Sequence, residues 1–159
     1  MSASRPSPPY GVRGINHIGL AAKDPARAKW FFASALGLGE LGEELVTEQQ
    51  TMTVMINSSD LGEAAVAPPR LEILIPEPAG AGPVGKFMAT RGSGIHHVAL
   101  AVTGLEALLA HLKSLGVQLI DETPRRGAHA TRIAFVHPAS AGGILVELVE
   151  EAAAQPLKP

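Results

Sequence analysis

The sequence predicts an α+β domain built from two modules, each of the form βαβββ. The segment at 15–22 (INHIGLAA) returns 80 residues later at 95–102 (IHHVALAV), with four of eight positions identical. Each copy is followed by one helical pattern and then by three short apolar runs bounded by turn residues. A chain of 159 residues is long enough to bury an ordinary apolar core within one domain.

The first module begins with the strand at 15–22, and a helix follows over 24–36. Asp24 suits the N-cap, Pro25 suits the first turn and Gly37 comes just after the end. An apolar stripe along this helix is formed by Ala28, Phe31, Phe32 and Ala35. Three strands are then predicted at 41–47, 52–57 and 71–76, with a loop at 58–69 before the last of them.

The second module repeats this order, starting with the strand at 95–102. Leucines at helical spacing predict a helix over 105–115, and Gly116 is the residue expected just past its end. Further strands are predicted at 118–121, 131–136 and 144–149. We therefore expect a single domain at 14–150, with modules at 14–76 and 94–150. A linker rich in Gly and Pro at 77–93 carries a short helix at 83–90, and disordered tails lie at 1–13 and 151–159.

Composition excludes several classes of function. Lys and Arg number 13 against 15 Asp and Glu, so no global positive field is present to bind nucleic acid. The absence of Cys excludes disulfide scaffolds, thiolate zinc sites and cysteine nucleophiles. No apolar run approaches the ~20 residues that span a bilayer, so no membrane partner is expected. The first twelve residues lack the apolar segment of a secretory signal, which favours the cytoplasm, with a short organelle-targeting remnant as the alternative.

Two histidines and two glutamates occupy equivalent positions in the two modules. His17 and His97 lie in the repeated strand beside small residues that leave room for a cleft, and Glu72 and Glu147 lie in the last strand of each module. If the modules pair around a pseudo-two-fold axis, all four side chains converge on one divalent ion. The alternative interpretation is structural, with packed histidines and strand acids on a solvated face.

Two imidazoles and two carboxylates form a donor set with a definite metal preference. The set suits an octahedral borderline ion such as Co²⁺, Ni²⁺, Mn²⁺, Fe²⁺ or Zn²⁺. Two coordination positions stay open for a bidentate oxygen ligand, and a carbonyl held there is polarised so that a neighbouring proton is easier to remove.

Several segments resemble the methylmalonyl-CoA epimerase family of the vicinal oxygen chelate superfamily, which also includes glyoxalase I and extradiol dioxygenases. The similar segments are NHIGLA, KFMATRGSGIHHVALAV, LGVQLIDETPRRGAH and above all IAFVHPASAGGILVEL, and the resemblance covers 14–150. HHVALAV is typical of the whole superfamily, whereas FVHP followed by GGILVEL is more specific. Glyoxalases usually carry an acidic D-P-D-G turn where this chain has His137-Pro138 and Gly142-Gly143.

The resemblance implies a curved eight-stranded sheet around a metal cleft, the vicinal oxygen chelate fold, commonly in a homodimer. It also implies a divalent ion, Co²⁺ before Ni²⁺, Mn²⁺ or Zn²⁺, at positions matching His17, Glu72, His97 and Glu147, where Glu72 replaces the Gln of some members. The implied reaction interconverts (2R)- and (2S)-methylmalonyl-CoA by proton abstraction at C2 through an enolate. The implied partners are a small acyl-CoA substrate and a second copy of the chain.

Inversion at C2 is easiest with one proton carrier on each face. Glu147 matches one carrier of the family, and the other is a Glu on the third strand, where alignment places Thr53. A threonine hydroxyl is no base at neutral pH, so the candidates for the second carrier are Glu48, a bound water or some other group. Glu48 is equally interpretable as a solvated loop acid.

The remaining polar candidates have ordinary alternatives. We expect His96 to pack near the helices, and His129 and His137 to form hydrogen bonds within loops. Four basic residues have two possible roles, either to contact the CoA phosphates or to lie as solvated charges on the surface. They are Lys86, Arg91, Arg125 and Arg126. No Gly-rich phosphate loop is present, so no nucleotide cofactor is predicted.

Two alternative functions remain open on the same scaffold. A glyoxalase I-like lyase or isomerase uses the same types of metal ligand. A metal-free ligand-sequestering protein has no need for all four ligand positions, and a shared fold does not separate these functions.

Overall fold

The computed structural model describes residues 8–57 and 69–152. The first module contains β1 (Gly11–Ala21), α1 (Pro25–Lys29), β2 (Gly39–Val46), β3 (Thr51–Asn57) and β4 (Arg70–Pro76). After α2 (Gly82–Arg91), the second module contains β5 (Gly94–Thr103), α3 (Leu105–Ser114), β6 (Arg125–Arg126), β7 (Arg132–Val136) and β8 (Val146–Glu150). The predicted tail residues 1–7 and 153–159 and most of the predicted loop, 58–68, lie outside the described residues.

The described strands form one curled, mixed sheet in the order β2-β3-β4-β1-β5-β8-β7-β6. β1 and β5, the two copies of the repeat, pair antiparallel at the centre and join the modules. On either side, β4 runs parallel to β1, and β8 runs parallel to β5. This arrangement confirms the predicted α+β fold of two βαβββ modules.

Helices α1 and α3 cover one face of the sheet and carry the predicted end signals, whereas α2 packs against Ala21 and Leu74 on the other face. The Asp24 carboxylate accepts a hydrogen bond from the backbone N–H of Arg27 at 2.9 Å, and α1 continues as a π-helical segment over Trp30–Ala35. Leu105, Leu108 and Leu109 of α3 are buried in the main apolar cluster of the second module. No helix in the described ranges is long and apolar enough to cross a membrane.

Two predicted boundaries are wrong. Residues 11–13, assigned to a tail, belong to β1, because Gly11 and Val12 pair with the end of β5. The strand predicted at 118–121 is reduced to a single bridge between Leu119 and Val136. The backbone N–H groups of Ile120 and Asp121 both donate to the carbonyl of Phe135, which breaks a regular ladder. The strand β6 instead pairs Arg125 and Arg126 with β7.

The sheet curls until its two edges meet. β2 is one edge of the sheet, and the turn Ala128–Ala130 follows β6, the other edge. The backbone N–H of His129 in this turn donates a hydrogen bond to the carboxylate of Glu44 on β2, at 2.5 Å. The central strands therefore form the floor of a cavity, and the joined edges lie across from that floor.

Candidate metal centre

The four side chains singled out by the repeat come together at the centre of the sheet. They lie on four adjacent strands, with Glu72 on β4, His17 on β1, His97 on β5 and Glu147 on β8. Gly19 is paired with both Glu72 and His97, and Ala99 is paired with both His17 and Glu147. This register places the side chains symmetrically about the β1–β5 pair, as the pseudo-two-fold hypothesis requires.

The Nε2 atoms of the two imidazoles lie within 3.7 Å of both carboxylates. Nε2 of His17 is 3.1 Å from Nε2 of His97 and 3.2 Å from a carboxylate oxygen of both Glu72 and Glu147. Nε2 of His97 is 3.2 Å from Glu147 and 3.7 Å from Glu72. The relative exposure of each residue is only 4% or 5%. Two buried carboxylates facing two imidazole nitrogens form a donor set that suits a borderline divalent cation.

The electrostatics of the cluster favour positive charge at its centre. Burial alone would lower the pKa of His17, but hydrogen bonds to Glu147 and Glu72 outweigh it and raise this pKa to about 9. Burial would raise the pKa of Glu147, yet hydrogen bonds to His17 and His97 lower it to about 2. The Glu147 carboxylate thus remains ionised beside a cationic His17, and a divalent ion can take the place of the imidazolium proton.

Gly19 leaves the space in which the His97 ring sits. A Cβ atom at position 19 would lie 2.3 Å from Cε1 and 2.5 Å from Nδ1 of His97, far inside van der Waals contact. Because Gly19 and His97 are paired across β1 and β5, a side chain at position 19 would displace this imidazole from the cluster. The small residue beside the histidine is therefore a steric requirement of the site.

A hydrogen-bonded chain holds the outer nitrogen of His17. A β-bulge between Ile15 and His17 turns the Asn16 side chain towards the neighbouring imidazole, although alternate residues of a regular strand face opposite ways. Oδ1 of Asn16 lies 2.8 Å from Nδ1 of His17 and 2.7 Å from Nη2 of Arg70. Nδ2 of Asn16 donates to Glu151 at 2.8 Å, and Arg70 donates to the same carboxylate at 2.6 Å.

This chain determines which nitrogen of His17 bears the proton when the ring is neutral. Arg70 can only donate and an ionised Glu151 can only accept, so the amide of Asn16 has its oxygen towards Arg70 and its nitrogen towards Glu151. The oxygen of Asn16 must then accept from Nδ1–H of His17. Nε2 is left with its lone pair directed at the cluster, which is the form of imidazole that binds a metal. Nothing in the sequence pattern marks Asn16, Arg70 and Glu151 as a connected group.

His96 packs as the sequence predicts, against a helix. Its ring meets Phe87 of α2 edge to face, with centroids 5.1 Å apart. Its Nδ1 lies 3.0 Å from Nδ1 of His97, on the side of that ring away from the cluster. Burial and the neighbouring His97 lower the pKa of His96 to about 4, so this ring is neutral.

A cavity of about 250 Å³ opens above the cluster. Besides the four residues of the cluster, its walls include Asn16, Val46, Gln49, Thr53, Met55, Arg70, Ala128, His129, Thr131 and Glu151. Thr53 lines the cavity, and its hydroxyl donates to the backbone carbonyl of Glu44. Glu48 is exposed in the turn Thr47–Gln49 and lines a neighbouring depression instead, so the structure does not bring it to the cluster.

His137, Arg125 and Arg91, the other polar candidates from the sequence, contact residues close to them in the chain or in the fold. Nδ1 of His137 accepts a hydrogen bond from the backbone N–H of Ala139 and caps the turn Pro138–Ala141, as the loop interpretation predicts. The Arg125 guanidinium pairs with Asp121 at 3.0 Å and lies over the ring of Phe135. Arg91 lies over Phe87 at 6.0 Å from its ring centroid. Contact of these cations with CoA phosphates stays a prediction.

Comparisons with known proteins agree with the fold. The sequence model of the Glyoxalase/Bleomycin resistance protein/Dioxygenase superfamily matches residues 16–135. The chain is 35% identical to the uncharacterised protein YqjC of Bacillus subtilis, over 86% of this chain and 91% of that protein. The crystal structure of methylmalonyl-CoA epimerase from Mycobacterium tuberculosis is 34% identical with a TM-score of 0.79, covering 96% of this chain and 93% of that one.

A second solved structure carries a ligand. It is a methylmalonyl-CoA epimerase in complex with methylmalonyl-CoA and NH₄⁺, which is 31% identical with a TM-score of 0.81 over 91% of this chain and 99% of that one. The matched superfamily model covers most of the described domain, from within β1 to within β7. The chain therefore belongs to the glyoxalase, bleomycin resistance protein and dioxygenase superfamily, and within it resembles the methylmalonyl-CoA epimerases.

Proposed function

We propose that this protein is a metal-dependent methylmalonyl-CoA epimerase, which interconverts the 2R and 2S forms by proton transfer at C2 through an enolate. The observation that carries this proposal is the convergence of His17, Glu72, His97 and Glu147 on the floor of a cavity. The similarity to epimerases, one of them in complex with methylmalonyl-CoA, supports the choice of substrate.

The same four side chains are proposed to hold the metal ion. His17 and His97 would bind through Nε2, and Glu72 and Glu147 through one carboxylate oxygen each, with Co²⁺ as the preferred ion. A divalent ion bound there would polarise the carbonyl oxygens of a malonyl thioester and so acidify the C–H bond between them. The burial of both carboxylates supports this assignment, because a buried carboxylate is costly unless it is paired or bound to a metal.

The chain's own residues supply the proton transfer and hold the site in place. Glu147 is proposed to take the C2 proton from one face and to return it in the reverse reaction. Its low pKa keeps this carboxylate ionised at neutral pH, which is the form that can accept a proton. Asn16 keeps Nε2 of His17 unprotonated, and Gly19 leaves space for His97, so both act on the ligands rather than on the substrate.

The remaining sequence-based expectations belong to this proposal. A homodimer is supported by the large apolar side chains that β1 and β5 expose, Val12, Ile15 and Ile95. The proposed domain covers 14–150 with a short extension to Gly11, and the proposed compartment is the cytoplasm. A near-neutral charge balance supports a small-molecule substrate rather than nucleic acid.

The test is deuterium exchange at C2 of methylmalonyl-CoA in D₂O, with Co²⁺ supplied and then removed by a chelator. The proposal requires metal-dependent incorporation of solvent deuterium together with loss of configuration, and Glu147→Gln should suppress both by about 100-fold or more. The methylglyoxal–glutathione adduct is the matched control substrate, since a glyoxalase would consume it. A protein that binds metal at His17 and His97 but exchanges no deuterium with any divalent ion would contradict the epimerase assignment.

A further inference from the structure

We infer that His129, oriented by Glu44, is the second proton carrier of this site and acts on the face of C2 opposite to Glu147. This inference rests on the proposed epimerase function. His129 would deliver a proton to C2 when Glu147 removes one, a role for which Glu48, a bound water and other groups are the alternatives in the sequence.

Inversion at C2 requires a proton donor on the face opposite to the group that accepts the proton. When the Glu147 carboxylate takes the C2 proton, the C–H electron pair passes into the neighbouring carbonyls as an enolate. Inversion is complete when an acid on the opposite face gives its proton to C2 and is left as the conjugate base. The reverse reaction exchanges the two roles, and solvent restores both groups, so no oxidant or other reactant is needed.

Glu72 lies on the same side of the cavity as Glu147. The two carboxylates flank the central His17–His97 pair on strands β4 and β8, and each is within 3.7 Å of Nε2 of His97. A ligand lying over this floor presents one side to both carboxylates. The carrier for the other face must come from the part of the wall that lies across from the floor.

His129 occupies that part of the wall. It belongs to the turn Ala128–Ala130 beside edge strand β6, and it meets Glu44 of the other edge strand, β2, where the curled sheet closes. The Glu44 carboxylate accepts from the backbone N–H of His129 at 2.5 Å and lies 3.5 Å from its Nδ1. Glu44 is also paired with Thr53 across β2 and β3, and Thr53 lines the cavity. A carboxylate beside one imidazole nitrogen is the usual way of orienting a histidine for proton transfer.

The other ionisable groups on the described cavity wall are unsuited to this role. Arg70 does not lose its proton at any physiological pH. Glu151 accepts hydrogen bonds from Asn16 and Arg70, which lower its pKa, so this carboxylate has no proton to donate at neutral pH and is a weak base. The hydroxyl of Thr53 is bonded to a backbone carbonyl, and Glu48 lines a different depression. Imidazole is a side chain that both gives and accepts protons near neutral pH.

The backbone conformation at His129 also supports a functional role for this residue. His129 has φ 53° and Ala130 has φ 58°, so two consecutive residues other than glycine adopt the left-handed conformation. This conformation is unfavourable for residues with a Cβ, and such strain is concentrated at functional sites. The strained turn is what places the His129 side chain at the cavity, 35% exposed to solvent from which it can be reprotonated.

The decisive experiment follows deuterium incorporation from each pure epimer separately, using the Co²⁺-loaded full chain. The variant is His129→Asn, because Asn tolerates the left-handed backbone and cannot carry the proton. One epimer should still exchange its C2 proton through Glu147, the other should lose exchange, and interconversion should fall about 100-fold or more. Glu44→Gln should weaken the same half of the reaction to a smaller extent. Metal content and the unfolding temperature should match those of the wild type.

The matched control is His137→Asn, a histidine of the same module that lines a different surface depression. It should leave both exchange reactions unchanged. The inference is overturned if folded, metal-loaded His129→Asn interconverts the epimers within about threefold of the wild type, if it loses exchange equally from both epimers, or if Glu72→Gln instead produces the one-sided pattern. Absence of exchange in the wild-type protein would contradict the proposed function itself, and this inference with it.

Discussion

The side-chain oxygen of Asn16 lies 2.8 Å from Nδ1 of His17, and the Arg70–Glu151 pair leaves the amide only one orientation. The proton of neutral His17 is thereby placed on Nδ1, and Nε2 is free to bind a metal ion. The tautomer of His17 therefore depends on residues of β1, β4 and the segment after β8, which meet beside the cluster.

Replacing Asn16 by Ala should lower Co²⁺ affinity about 10- to 100-fold, because His17 loses the acceptor that fixes its tautomer and ring orientation. Isothermal titration of the metal-free protein measures this change. Glu151→Gln is the comparison, since its amide oxygen can still accept from Asn16 and Arg70, and it should stay within about threefold of the wild type. An unchanged Co²⁺ affinity in Asn16→Ala would show that the hydrogen bond between Asn16 and His17 does not contribute to metal binding.

Removing either histidine of the cluster should abolish stoichiometric metal and leave the fold largely intact. His17 and His97 border an open cavity rather than the apolar core, so water can fill the space that an Ala leaves. Metal analysis after dialysis, together with circular dichroism, checks both parts. His96→Ala should keep its metal, and loss of metal there with retention in His97→Ala would mean that the wrong histidine of the pair was assigned.

Gly19→Ala should displace the His97 ring and reduce metal affinity by at least about tenfold, because the added Cβ would lie 2.3 Å from the imidazole. The matched control is Gly94→Ala on β5, where a Cβ would meet nothing within 4 Å. Metal titration of both variants separates the steric effect from a general effect of replacing a strand glycine. Equal affinities in the two variants would contradict the close approach.

The stability of the second module should depend on α3. Leu109 is 2% exposed within the apolar cluster, so Leu109→Ala should lower the free energy of unfolding by about 2–5 kcal/mol. Leu115, just past the helix and 65% exposed, is the control, and Leu115→Ala should change it by no more than about 0.5 kcal/mol. Urea unfolding followed by circular dichroism gives both values, and similar losses would mean that α3 is not packed as described.

Local signals in the sequence were sufficient for most elements of the fold. Asp24 and Pro25 marked the start of α1 because capping and proline geometry involve only adjacent residues. The repeat around His17 and His97 placed the two copies at equivalent positions, and the structure pairs them. Glu72 and Glu147 could be added because the same position in each module predicts the same place in a symmetric sheet.

Sequence alone therefore determined the two modules, the helices and the four residues of the candidate centre, since each rests on periodicity or on a repeat. Only the tertiary structure decided the rest. The bulge that turns Asn16 towards His17 depends on its register against β5, and the meeting of Glu44 with His129 depends on how far the sheet curls. Such contacts join residues up to 135 positions apart, and their geometry is the sum of many small strand twists that no local pattern records.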